Sequence, residues 1–139
     1  MKLFFDTNII LDLILKRELF FEEAAKILSY SELNDNVQLY VSSLSIVNAN
    51  YVACKFTSKA KVIESLKMLR LAFDVIDVSV KEIDSALYSN FNDFEDAVQY
   101  FSALKKNCNY IITRDSKDFK NSKIMVLSPS AFLKMIKQP

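Results

Sequence analysis

Short apolar runs alternate along this chain with longer stretches in which apolar residues recur at helical spacing. The runs are Leu3-Phe4-Phe5, Val37 to Val41, Phe73 to Val78, Tyr110 to Thr113 and Ile124 to Leu127. Each has the length of a strand and is apolar at most positions, the mark of a strand covered on both faces. Between them, Val62, Leu66, Leu69 and Phe73 recur at steps of four, three and four. Phe94, Ala97, Phe101 and Leu104 follow at three, four and three. Such steps put each set on one side of a helix. Strands alternating with helices imply a parallel sheet with helices packed on both faces. The expected fold is α/β, a single three-layer α/β/α domain over residues 1–139 with a central parallel sheet of about five strands.

The breaks between elements lack their usual markers. There is no glycine, and the only prolines are Pro129 and Pro139. Asparagine tolerates left-handed backbone better than most residues. The pairs Asn34/Asn36, Asn90/Asn92 and Asn107/Asn109 are therefore the expected loop positions. Ser79, and Ser128 followed by Pro129, read as helix N-caps.

Composition narrows the chemistry. At 139 residues and 51% hydrophobic, the chain is long enough for one core and too short for two. Eighteen basic residues against seventeen acidic ones leave +1, so no strong overall field advertises a polyanionic partner. With no histidine there is no imidazole base, no Ser-His-Asp triad and no His-ligated metal. With no glycine there is no P-loop and no dinucleotide fingerprint. Cys54 and Cys108 suit small apolar roles better than a disulfide or a zinc site. Met1-Lys2 is followed by too few apolar residues for a signal peptide, and no run approaches the ~20 residues of a membrane span. A cytoplasmic protein is expected, with no membrane partner.

Carboxylates then stand out. Asp6 directly follows the first strand, and Asp115 follows the fourth in Thr113-Arg114-Asp115-Ser116-Lys117-Asp118-Phe119. Asp93, Glu95 and Asp96 crowd the start of the helix near Phe94. Each can be read as an ordinary cap or first-turn acid. Together they are harder to explain, because in open α/β sheets the carboxyl ends of strands share one crevice. Acids crowded there repel unless a cation or a proton intervenes. Oxygen donors without His or Cys suit Mg2+ or Mn2+.

Three motifs in this order, Phe5-Asp6-Thr7-Asn8, Glu95-Asp96-Ala97 and Thr113-Arg114-Asp115-x-x-Asp118-Phe119, make the sequence resemble the PIN domains over essentially the whole chain. These are metal-dependent ribonucleases that include the toxins of VapBC-type toxin–antitoxin pairs. The resemblance implies that Asp6, Asp96 and Asp115 are catalytic metal ligands, with Asp118 as an auxiliary acid. It implies that Thr113 orients the first Asp and that Asn8 lies beside it. RNA would be cleaved by metal-activated water, leaving a 5′-phosphate and a 3′-hydroxyl. An antitoxin protein and a homodimer are the implied protein partners. The apolar segment Leu11 to Leu28 suits either contact, or packing against the sheet.

The family usually carries a Glu on the helix after the second strand, where this chain has Asn48. Asn offers a neutral oxygen and no charge. The alternative expectation is thus a PIN-like scaffold that binds RNA or a protein without cleaving. A phosphate-accepting receiver and an Asp-x-Asp phosphatase are disfavoured, because Asp6 is followed by Thr7 and Asn8. Lys16-Arg17, Lys105-Lys106, Arg114 and Lys117/Lys120/Lys123 are candidate phosphate contacts, and Arg114 is the best placed, beside Asp115. The many Phe and Tyr residues fall on strand and helix spacing, so no base-stacking platform is expected.

Overall fold

The computed structural model describes residues 1–138. Five parallel strands form one sheet in the order β3-β2-β1-β4-β5. They are β1 (Lys2–Phe5), β2 (Gln38–Ser42), β3 (Phe73–Ile76), β4 (Tyr110–Ile112) and β5 (Met125–Leu127). Helices α1 (Thr7–Leu15) and α2 (Phe21–Glu32) connect β1 to β2, and α3 (Ser43–Ala53) and α4 (Lys59–Ala72) connect β2 to β3. Helices α5 (Val80–Leu87) and α6 (Phe94–Lys105) lead to β4, and α7 (Pro129–Lys137) follows β5. A single 3-10 turn, Ser116–Phe119, lies between β4 and β5.

The layers follow from strand alternation. Leu3 and Phe5 of β1 join Leu39 and Val41 of β2 in the core beneath α1 to α4 and α7. Phe4, Tyr40 and Ile111 face the opposite side, against Tyr100 and Ala103 of α6. Both faces are covered, giving the three-layer α/β/α fold. The chain runs outward from β1 to β2 and β3, then returns to place β4 on the other flank of β1. The topological switch point therefore lies between the carboxyl ends of β1 and β4, where a ligand crevice forms in such sheets.

Most strand boundaries match the hydrophobic runs to within a residue or two, and two details of the helical stripes differ. Phe73 ends the α4 stripe in sequence but opens β3, where its ring meets Phe5 edge-on at 5.0 Å. In α6 the buried residues are Ala97, Val98, Gln99, Tyr100, Ser102 and Ala103, whereas Phe94 and Leu104 are exposed. This helix is wedged between the sheet and α5, so the alanines, Val98 and Tyr100 face inward and the two ends of the apolar stripe do not. All three asparagine pairs fall in loops. Only Asn107 has positive φ, however; Lys16 (49°) and Leu19 (73°) supply the other left-handed positions. Among the described residues both cysteines are free.

Candidate active site

Asp6 ends β1 and caps α1, its Oδ1 accepting from the Thr7 backbone N–H at 2.8 Å. Its Oδ2 accepts from the Thr113 hydroxyl at 2.8 Å, across the switch point from β4. Thr113 in turn accepts from the Asn8 amide (3.2 Å) and from the Asp115 backbone N–H (3.1 Å). Asn8 Nδ2 also donates to Asp115 Oδ2 at 3.1 Å. One hydroxyl thus joins the first and last acidic motifs. Asp115 stands at the N-cap position of the 3-10 turn, yet its side chain makes no cap bond. Asp93 does cap α6, accepting from the Asp96 backbone N–H at 2.9 Å.

The acids act on one another electrostatically. Burial drives the Asp6 carboxyl up to about 6, against the lowering effect of Thr113 and the Thr7 N–H, with Glu95 and Asp115 adding to the rise. Burial also drives Asp96 up to about 7, reinforced by Asp6, Asp93, Asp118 and Glu95. Asp6, Asp96, Asp115 and Asp118 therefore share one region of negative potential. Asn8 Oδ1 is buried there without a hydrogen-bond partner. An unmet acceptor costs about 1–3 kcal/mol unless water or a cation satisfies it. Oxygen-only donors, excess negative charge and this orphaned carbonyl fit a hard divalent cation. Among the described residues no three His, Cys, Asp or Glu side chains are grouped closely enough to hold an ion by themselves. The acids have the right chemistry in an open arrangement.

Beneath the acids lies a buried polar clasp that the sequence pattern does not reveal. Gln99 Nε2 donates to Thr7 Oγ1 (2.9 Å) and to Ser45 Oγ, while Ser42 Oγ donates to Gln99 Oε1 (2.6 Å). Thr7 and Ser45 hydroxyls meet at 2.7 Å. The clasp ties the starts of α1 and α3 to α6, the elements that carry Asp6, Asn48 and Asp96. Gln99 lies one turn beyond Asp96, on the buried face of α6 and opposite the apolar stripe read from the sequence. Asn48 lies on α3, partly buried, one turn beyond Ser45.

Arg114 departs from the expected role of phosphate contact. Its Nε and Nη2 donate to the two oxygens of buried Asp12 at 2.8 and 3.2 Å, and its guanidinium lies 3.9 Å from the Phe20 ring centre. Arg17 approaches the same carboxylate at 3.6 Å. A fully buried Asp demands such pairing, so the arginine is held inward. The clue was Asp12 itself, an acid inside the apolar run Ile9 to Leu15. Lys105 is likewise engaged, donating to Glu82 at 2.8 Å, and Lys2 Nζ reaches the Lys106 carbonyl. Lys16, Lys117, Lys120 and Lys123 are exposed.

The model that describes PIN domains matches residues 2–117. A ribonuclease VapC1 of Aquifex aeolicus (strain VF5) is 30% identical over 139 residues, covering 94% of this chain and 92% of that protein. Among solved structures, VapBC2 from Rickettsia felis bound to a DNA fragment from their promoter is similar, with a TM-score of 0.68 and 19% identity, covering 92% of this chain and 98% of that one. VapBC-1 from nontypeable Haemophilus influenzae gives a TM-score of 0.67 at 18% identity, covering 94% and 99%. These two show a shared fold. With that family model matched from residue 2 to 117 and a relative 30% identical over nearly the whole chain, the chain belongs to the PIN-domain family.

Proposed function

We propose that this chain is a Mg2+- or Mn2+-dependent endoribonuclease and the toxin of a toxin–antitoxin pair. The observation that carries the reading is that Asp6 and Asp96 are lifted toward neutrality by burial and by the repulsion of neighbouring acids, Glu95 and Asp115 on Asp6, and Asp6, Asp93, Asp118 and Glu95 on Asp96. Family membership and the ribonuclease named among its relatives support the same reading.

Asp6, Asp96 and Asp115 would hold the ion, with Asp118 as the auxiliary acid. A bound divalent ion supplies Lewis-acid activation of water and neutralises charge on the cleaved phosphodiester. The chain's own contribution is positioning. Thr113 and the Thr7 N–H hold both oxygens of Asp6, so the carboxylate keeps one orientation at the strand end. Asn8 performs that service for Asp115. The Gln99 clasp keeps the starts of α1 and α3 in register with α6, and so Asp6 and Asn48 with Asp96. No side-chain base is needed, in keeping with a chain that has no histidine.

Antitoxin binding belongs to the proposal through the complexes found for similar folds. Leu13, Phe21 and Leu28, from the segment expected to make protein contacts, border a groove of about 780 Å3 with Met68 and Leu71 of α4. An apolar antitoxin segment suits it, and a second copy of the chain is the other expected partner. Neutral Asn48 favours the competing reading, a scaffold that binds RNA without cutting it. Purified protein incubated with total RNA decides between them. Cleavage in Mn2+ that stops in chelator supports the nuclease; RNA binding with no cleavage in saturating Mn2+ overturns it.

A further inference from the structure

Beside the acids is a second cavity, of about 300 Å3, lined by Phe20, Glu23, Arg114, Asp115, Ser128 and Pro129. We infer that it is a nucleobase subsite that receives the base next to the scissile phosphate and selects guanine. This rests on the ribonuclease reading above.

Position comes first. Asp115 belongs both to the acid crevice and to this cavity, so an RNA strand whose phosphate lies at the acids carries its neighbouring nucleotide alongside. The volume is at the lower end of small-ligand pockets, about 300–1,000 Å3, and suits one planar group rather than a folded peptide segment.

The lining is suited to a base. Arg114 has two of its donors bound to Asp12 and stacks on the half-exposed Phe20 ring. Held this way, it cannot swing out as a phosphate clamp. It and Phe20 instead present rigid π surface, the kind on which unstacked RNA bases lie. Glu23, on the first turn of α2, has no ion-pair partner among the described residues. A carboxylate only accepts hydrogen bonds. Guanine alone among the four bases offers two adjacent donors, its ring N1–H and exocyclic amino group, to one carboxylate. Adenine and cytosine place an acceptor beside their amino donor, and uracil flanks its N–H with two carbonyls. Of the two carboxylates in the lining, Asp115 already accepts from Asn8, whereas Glu23 has no ion-pair partner among the described residues; its unpaired charge favours guanine and repels uracil.

The test uses random-sequence RNA and the full chain, with cut positions sequenced after limited digestion in Mn2+ and bound molecules sequenced after selection in chelator. Guanine is expected about tenfold enriched at one position flanking the cut, as a two-bond base contact provides. The bound pool should carry the same preference. Glu23→Gln should flatten the enrichment in both pools while its melting temperature matches the parent's. In a synthetic RNA, an abasic site at that position should weaken binding about tenfold through lost stacking. Wild-type pools without a base preference, or an unchanged profile in Glu23→Gln, would overturn the subsite even if cleavage is robust. Guanine-selective binding that depends on Glu23, without any cleavage, would leave the subsite standing and remove the nuclease reading instead.

Discussion

Asp96 is less buried than Asp6, yet its carboxyl is raised further, to about 7 against about 6. The difference lies in compensation. Asp6 receives two hydrogen bonds that favour its charged form, whereas Asp96 has four neighbouring acids acting on it and no lowering partner. Removing the Asp96 charge should therefore relieve repulsion. Asp96→Asn is expected to abolish Mn2+-dependent cleavage and, in chelator at pH 8, to melt a few degrees above the parent. A variant that still cuts, or melts lower, would remove Asp96 from the site. Asn48 poses the reverse experiment. The three acids proposed as ligands carry about −3 against +4 for two divalent ions, so a second ion would be left poorly neutralised. Asn48→Glu is expected to tighten Mn2+ binding and raise cleavage at limiting metal. Calorimetry showing equal affinity in both proteins would mean that position 48 does not face the ions.

At the level of elements, the site depends on how α1, α3 and α6 are joined beneath it. Ser42, Ser45, Thr7 and Gln99 are all buried, and each finds a partner within the clasp. Gln99→Leu keeps the volume but removes the amide shared by Thr7, Ser42 and Ser45, leaving the three hydroxyls only their bonds to one another and to the Ser45 N–H. It should cost about 1–3 kcal/mol in urea unfolding, the usual loss when buried groups go unsatisfied. The Mn2+ concentration for half-maximal cleavage should rise as well, because the acid-bearing elements lose their tether. Unchanged stability would show that the hydroxyls re-pair without the amide. This clasp was not legible from periodicity, because Gln99 lies opposite the Phe94, Ala97, Phe101 and Leu104 stripe, on the face that the 3.6-residue repeat assigns to solvent. The same helix misled the reading of Phe94 and Leu104. Large apolar residues define a stripe in sequence, but wedging between the sheet and α5 selected the alanine face.

For the molecule as a whole, two sets of carboxylates pull stability in opposite directions with pH. Asp6 and Asp96 ionise above their ordinary 3.8, so they favour the fold at low pH and lose that contribution as pH rises through about 6 and 7. Glu82 is the converse. Although burial raises it, Lys105 and Ser79 outweigh that and hold it near 2, so it stabilises above 4.5 and that contribution is lost as pH falls toward 2. Metal-free protein should accordingly melt highest near pH 5. On the proposed function, Mn2+ would bind the ionised acids of the folded state, and a hundredfold excess over the dissociation constant would add about 2.7 kcal/mol. Its stabilising effect should be much larger at pH 8 than at pH 5. Melting curves with chelator or Mn2+ across pH 3–8 test this, and a metal effect independent of pH would disconnect the raised carboxylates from the ion.

Local pattern alone was enough for the layers and the strand positions, and it put Asp6 at a strand end. Strands apolar on both faces can only be central to a covered parallel sheet, and an Asp placed directly after such a strand has nowhere to project but the sheet's carboxyl edge. Helix caps at Ser128 and Asp93 were legible for the same local reason, since the groups they satisfy lie within three residues. Contacts between residues far apart in the chain were decided only by tertiary structure. Thr113 bonds to Asp6 from 107 positions away, Gln99 to Thr7 from 92, and Arg114 to Asp12 from 102. Arg114 is the clearest case. Beside Asp115 in sequence it reads as a free cation, but a buried carboxylate cannot stay unpaired, so the arginine turns inward onto Asp12 and Phe20. Local chemistry told where charges stand along the chain; three-dimensional packing chose their partners.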